Sequence, residues 1–253
     1  QLADVQGAAQ QDRIQGGAFQ IALRLAERVG KASILLNSPV RSIEQSARGV
    51  RLISDRWDIQ AKKAIVALSP NLILGINFGT QAPVERLALA RRMPMGSVTK
   101  AIIGYERPFW RDSGMAGMAV SDKGPFGPVF DACQPGDSRG YLVGFLEGEE
   151  GRRFALSSEE ERRKAIVATL VRLFGSEAAR PTGYIEKNWT MDEWSGGCYT
   201  GLMIPGTMTR YGQSLRKPFG NIHWAGTETA IQWMGYFDGA VEAGQRCARE
   251  VMT

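Results

Sequence analysis

Three features of the 253-residue chain predict a mixed α/β fold. Helical apolar spacing marks a stretch near each end and another in the middle. Short alternating or continuous apolar runs bounded by Gly and Pro mark strands between them. The Ser69-Pro70 break divides the strand-rich first quarter from the rest and predicts a domain crossing near that point.

The elements follow in order. Residues 1–12 are polar and define no element. Arg13-Ile14-Gln15-Gly16-Gly17 opens a helix whose apolar positions Phe19, Ile21, Ala22, Leu25, Ala26 and Val29 keep helical spacing, and Gly30 stops it. Strands are predicted at 33–36, 40–44, 49–54, 57–60 and 61–68. Pro83 starts a helix running to Arg92. Val98–Tyr105 reads as a strand with Lys100 among apolar residues, and further strands are predicted at 115–120, 129–132, 141–146 and 183–188. Ser157-Ser158-Glu159-Glu160-Glu161 contains a capping box for a helix ending at Gly175. Ile222–Ala225 is a short apolar strand, followed by Gly226-Thr227-Glu228-Thr229, a loop, and a long final helix. On that helix Ala240, Val241, Ala243, Gly244, Cys247, Ala248 and Val251 form the predicted buried face, with Glu242, Arg246, Arg249 and Glu250 largely opposite.

Composition narrows the function. The 43% hydrophobic and 23% charged residues are those of a soluble globular protein, and no apolar run approaches the ~20 residues of a membrane span. No signal-peptide pattern opens the chain. The net charge of +5 is spread over Lys and Arg groups that alternate with Glu, which argues against a nucleic-acid stripe. Three scattered cysteines, Cys133, Cys198 and Cys247, argue against a disulfide scaffold and favour a reducing, cytoplasmic setting. His223 is the only histidine, so no multi-histidine metal site exists; inside its apolar run it reads as structural. Gln1 in place of an initiator Met implies that the chain does not begin where a gene does.

Four stretches carry candidate chemistry. Lys100 shares a strand face with Val98 and Ile102, which makes it either a pocket-wall lysine or an edge lysine that discourages aggregation. The two glycines of Ser195-Gly196-Gly197-Cys198-Tyr199-Thr200 permit a tight turn presenting a thiol and a phenol, suited to a nucleophile, a ligand or a cofactor attachment. Trp189, Tyr199 and Tyr236 suit a flat, conjugated ligand, or are core aromatics. Gly239, Ala240, Ala243 and Gly244 leave the final helix little bulk at its start, which serves either ligand approach or close packing.

Together these segments resemble the flavin-containing monoamine oxidases. The resemblance is carried by Trp189, the 195–200 segment, Tyr211-Gly212, Leu215-Arg216-Lys217-Pro218, Ala225–Thr229, Gly235-Tyr236 and Gly239–Gly244. Gly16-Gly17, Gly96-Ser97-Val98-Thr99-Lys100 and Pro108-Phe109-Trp110 match the same family in the same order. The terminal block is the most specific part. The family's N-terminal glycine-rich strand-turn-helix has no counterpart here, and no GxGxxG occurs in the chain.

The resemblance implies an incomplete two-lobed fold: part of an FAD-binding lobe (1–69 and 221–253) plus a mixed-sheet substrate lobe (70–220). It implies FAD as cofactor, with Cys198 at the position that forms a thioether to the flavin in covalently linked members. Tyr199 and Tyr236 match the paired aromatics that flank the amine, Lys100 matches the lysine that holds a water at flavin N5, and Trp189 matches an aromatic beside the ring. Val40 matches a backbone contact to the adenosine end; Gly226, Thr227, Gly235, Tyr236 and Phe237 match the segment near the ribityl-pyrophosphate and ring. The implied reaction is oxidation of a primary or secondary amine to an imine and then aldehyde, with dioxygen reduced to hydrogen peroxide. Alternatives are a polyamine or L-amino-acid oxidase, or a non-catalytic flavin-binding module. The implied partners are a small amine, dioxygen, the missing N-terminal half and a second copy in a homodimer, without nucleic acid. A chain ending at Thr253 without a membrane helix implies a soluble, bacterial-type relative.

Overall fold

The computed structural model describes Asp12 and residues 14–253; Arg13, at the start of the first predicted helix, and the polar segment 1–11 lie outside the described residues. The chain begins with α1 (Phe19–Val29), which ends at Gly30, and continues through β1 (Val40–Ser46), β2 (Gly49–Ser54), β3 (Asp58–Ala61) and β4 (Ala64–Val66). Next come α2 (Val84–Ala90), β5 (Val98–Tyr105), β6 (Ala119–Val120), β7 (Pro128–Asp131) and β8 (Gly140–Glu147). The last part holds α3 (Gly148–Ala155), α4 (Glu159–Phe174), β9 (Gly183–Asn188), α5 (Thr207–Tyr211), β10 (Ile222–Trp224) and α6 (Phe237–Met252).

Among the described residues these strands form three sheets. β1, β2 and β3 make an antiparallel meander, β10 pairs in parallel with β4, and the largest sheet has the order β6-β7-β8-β5-β9. The β10–β4 pair joins segments far apart in sequence, Ile222 facing Ala64 and Trp224 facing Val66. Two main cores result. One packs Trp110, Phe126, Leu142 and Leu146 against Ile166 and Leu170 of α4. The other gathers Ile43, Val50, Val66, Ile73, Phe78, Ile222 and Trp224.

Local signals place several boundaries. Ser158 accepts from the Glu161 N–H while Glu161 Oε2 accepts from the Ser158 N–H, so the predicted capping box starts α4, and Gly175 ends it. Other expectations fail for identifiable reasons. Residues 33–36 form no strand: 31–33 make a 3-10 turn, and Leu35 and Leu36 are exposed. The strand expected over 115–120 shrinks to β6 because Gly117, at φ 72°, turns the chain first. β4 is shorter than expected, and the charged segment of α3 is a helix that the apolar pattern does not signal.

Two amphipathic readings need revision. No residue of α1 is buried, and Phe19 is 70% exposed, so its apolar stripe has no covering partner among the described residues. On α6 the buried line is only Gly239, Ala243 and Cys247; Ala240, Val241 and Gly244 are exposed. Three charged residues expected on the solvent side face the fold instead. Glu242 accepts from the Ile231 and Gln232 N–H groups, Arg246 donates to Trp224 O and Thr229 Oγ1, and Glu250 meets His223 Nδ1 at 2.9 Å. The loop before α6 leaves backbone groups in need of partners, and charged side chains supply them.

Candidate active site

The site is built on one face of the largest sheet. Side chains alternate across a strand, and residues opposite each other on antiparallel strands share a face. On β8, Leu142 and Leu146 point into the α4 core, which leaves Phe145 and Glu147 on the other face. Register puts Lys100 opposite Phe145, and Val98 opposite Glu147. Lys100 is therefore an exposed wall residue, its Nζ 5.9 Å from the Phe145 ring centroid. Phe130 of β7 packs edge-to-face on Phe145 at 6.5 Å.

The 195–201 segment is clamped over this face. The Cys198 N–H donates to Gly96 O at 2.8 Å, Leu202 N–H donates to Pro94 O, and Met95 bridges Gly201. Gly96 makes the approach possible: a Cβ there would lie 2.2 Å from Cys198 O. At the start of the turn, Asp192 Oδ1 accepts from the N–H groups of Trp194 and Ser195 and from Ser195 Oγ. The Cys198–Tyr199 peptide is cis. Tyr199 lies edge-on to Phe145 at 6.0 Å, and its hydroxyl donates to Glu147 Oε1 at 2.6 Å. Trp189 flanks the same region: Thr190, its neighbour, donates to or accepts from Ser97 Oγ and accepts from Val98 N–H, while Lys187 Nζ lies 5.2 Å over the indole.

Charge on this face is mixed. Burial pushes the Cys198 thiol above its usual range, the Glu147 carboxylate pushes it further, and Lys100 pulls it back. Burial and then the hydrogen bond to Glu147 hold the Tyr199 phenol well above the ordinary tyrosine range, although the side chain is 58% exposed. Both groups are accordingly neutral at pH 7.

A second segment reaches the site through Thr200. Glu228 is buried, and its Oε1 accepts from Ser69 Oγ, Thr200 Oγ1 and Gly201 N–H. Thr227 Oγ1 accepts from Gly235 N–H at 2.8 Å and donates to Tyr236 O at 2.9 Å, which closes the 227–236 loop on itself. Gly235 stands against Thr200: a Cβ there would lie 3.5 Å from Thr200 Cβ. Tyr236 pairs with Trp233 at 5.6 Å, and Phe237 is exposed at the head of α6. At Gly239 close packing wins over ligand approach, because a Cβ would strike Trp233 O at 2.3 Å and Thr227 Oγ1 at 3.0 Å.

Of the residues singled out in the sequence, Lys100, Trp189, Cys198 and Tyr199 gather on the β5–β8 face, and Gly226, Thr227, Gly235, Tyr236 and Phe237 gather in the loop that Thr200 and Glu228 tie to it. Val40 stands apart: it opens β1 opposite Ser54 and packs on the core that holds Trp224. Three contributors, Phe145, Glu147 and Glu228, carry no functional signal in the sequence. Alternation along β8 places Phe145 and Glu147 together, but the partner that gives them meaning lies 52 residues away. Glu228 reads in the sequence only as part of a turn, whereas its carboxylate joins three chain segments.

An exposed phenol and a half-buried thiol thus lie on a sheet wall, tied through Thr200 and Glu228 to a glycine-rich loop that leads into a helix. Trp194, Leu202, Met208, Trp233 and Phe237 are also exposed. Residues 1–252 match the family of flavin containing amine oxidoreductases, and the chain belongs to that family, whose cofactor is FAD. It is 42% identical over 251 residues to a probable flavin-containing monoamine oxidase A of Dictyostelium discoideum, covering 99% of this chain and 55% of that protein. Cyclohexylamine oxidase from Brevibacterium oxydans superposes with a TM-score of 0.87 at 35% identity, over 93% of this chain and 52% of that one. A putrescine oxidase solved with putrescine bound gives 0.88 at 33% identity, over 94% and 53%. The chain thus spans about half the length of the relatives it matches. Among the described residues no helix is long and apolar enough to cross a membrane.

Proposed function

We propose that this chain supplies the substrate-facing half of an FAD-dependent amine oxidase, which converts a primary or secondary amine to an imine and releases hydrogen peroxide. The observation that carries the reading is the convergence of Cys198, Tyr199, Phe145 and Lys100 on one sheet face, with the Gly235–Phe237 loop held against Thr200. Bound FAD supplies the hydride acceptor and its reoxidation by dioxygen. Tyr199 and Tyr236 present ring faces that orient the amine, whose attraction to them is electrostatic. The apolar wall of Phe130 and Phe145 excludes water. Lys100 holds a water beside the reacting centre, and Cys198 is the attachment point for a covalent flavin. Trp189 and the backbone of Gly226, Thr227 and Gly235 line the cofactor, with Val40 toward its adenosine end.

The lobes are 1–69 with 221–253, and 70–220; two separate cores accord with two lobes, but the 70–78 segment and α2 pack on the core of the first lobe rather than that of the second. The partner that completes the site is the N-terminal half, as the exposed apolar residues and the half-length match support. The protein acts in the cytoplasm, consistent with three cysteines that form no disulfide, and as a homodimer.

The test is reconstitution of the complete protein. A yellow protein that releases peroxide with benzylic, aliphatic or polyamine substrates supports the reading; a complete, folded protein without flavin overturns it. Colour that stays in an acid-precipitated pellet supports the thioether at Cys198, and colour released to the supernatant overturns it. Lys100→Met is expected to retain flavin but to reoxidise about tenfold more slowly in oxygen, the loss of one positioned charge; an unchanged rate refutes its role.

A further inference from the structure

We propose that Glu147 sets the charge preference of the site, favouring amines that carry a second positive group and disfavouring amino acids. This deepens the amine-oxidase reading and rests on it. Glu147 shares a sheet face with Phe145 and Lys100, and its Oε1 accepts the Tyr199 hydroxyl at 2.6 Å. Among the described residues Oε2 has no hydrogen-bond partner, and Glu147 forms no ion pair with Lys100 or any other cation. The carboxylate is half-buried, so part of its charge is felt through protein rather than water; it is strong enough at Cys198 to oppose the pull of Lys100.

The position of that charge selects its ligand. Oxidation requires the reacting nitrogen to be neutral, with its lone pair available. A carboxylate in contact with that nitrogen would hold its proton in place. Glu147 does not lie over the face of Tyr199; it lies beyond the hydroxyl, at the far edge of the ring. A cation meeting Oε2 is therefore a different group of the same molecule, separated from the reacting carbon by a spacer along the phenol. A diamine provides this, one end neutral between the ring faces and the other an ammonium on Glu147, donating one N–H to Oε2. An α-amino acid brings a second carboxylate close to Glu147 and is repelled. Glu147 also holds the phenol in place, because with Oε1 engaged by Tyr199 the ring cannot turn away from Phe145. Glu147 is thus a specificity-determining residue that acts through charge and through Tyr199.

The experiment uses the complete, flavin-loaded enzyme, wild type and Glu147→Gln, with 1,4-diaminobutane, n-butylamine and L-leucine as substrates. The expected result is a wild-type preference for the diamine that falls about tenfold in Glu147→Gln, equivalent to about 1.4 kcal/mol, with Glu147→Asp recovering part of it. The wild-type preference also shrinks as ionic strength rises, a readout that needs no variant. Butyltrimethylammonium, which cannot be oxidised, reports binding alone through the flavin absorbance; its Kd rises about tenfold in Glu147→Gln and stays unchanged in Glu149→Gln, an exposed neighbour on α3. An active wild type whose diamine-to-monoamine ratio is the same in Glu147→Gln, with unchanged butyltrimethylammonium binding, overturns the assignment while leaving the oxidase reading intact. A flavin-loaded wild type that oxidises none of the three substrates overturns the assignment of Glu147, and one that oxidises no benzylic amine either overturns both.

Discussion

Replacing Glu228 by alanine is expected to be among the most damaging single changes in this chain. The side chain is 1% exposed, and one oxygen accepts from Ser69 Oγ at 2.6 Å, Thr200 Oγ1 at 3.2 Å and Gly201 N–H at 3.2 Å. The two hydroxyls can rotate toward other acceptors, but the buried Gly201 N–H is fixed by the backbone. Leaving that donor unpaired costs about 1–3 kcal/mol, and the charge-assisted bonds lost with it raise the total to about 3–4 kcal/mol. A further loss comes from Arg86, whose buried guanidinium is pulled down to about 10 by burial and is partly compensated by Glu228. Glu228→Gln keeps a carbonyl acceptor in the same place and is expected to cost only about 1 kcal/mol. Urea unfolding of the purified protein is the assay. With a slope of about 2 kcal/mol/M, the alanine variant loses about 1.5 M in midpoint and the glutamine variant about 0.5 M. Equal midpoints for the two variants, or an alanine variant as stable as wild type, would refute the claim that this carboxylate joins the three segments.

Other expectations follow from the same geometry. In protein prepared without flavin, where Cys198 is a free thiol, iodoacetamide should alkylate it faster at pH 8 in Glu147→Gln, because removing the carboxylate lowers the thiol pKa and enlarges the thiolate fraction. Lys100→Met removes the opposing charge and should slow the same reaction; mass-spectrometric rates in the reverse order would contradict the assignment of charges around the thiol. In wild type the reaction should accelerate with pH beyond the usual thiol range, since burial and Glu147 both hold the proton on sulfur. Gly96→Ala places a methyl 2.2 Å from Cys198 O, a backbone atom that cannot yield without moving the whole turn, and should cost about 2–3 kcal/mol. Gly104→Ala is the control: its nearest neighbours stand at 3.6 Å, and the change should stay within about 1 kcal/mol by thermal unfolding.

Sequence alone was sufficient for several signals that are local. The capping box at Ser158 and Glu161, the glycine stops at Gly30 and Gly175, and the β5 and β8 strands depend on neighbours within a few residues, so their pattern survives without the fold. The terminal motif from Gly226 to Gly244 and the Cys198-Tyr199 pair were likewise legible, and they led to the family. Only tertiary structure decided which polar side chains are partners. Glu147 meets Tyr199 across 52 residues, and Glu228 meets Ser69 across 159, separations at which no periodicity operates. It also decided which faces are inside. An apolar stripe states that a helix has something to bury, as on α1, but not that this chain covers it. On α6 the adjoining loop, by leaving its N–H and carbonyl groups to be satisfied, drew Glu242 and Arg246 inward and left Val241 exposed. Burial is a property of the assembled neighbours, and a linear pattern records only the tendency.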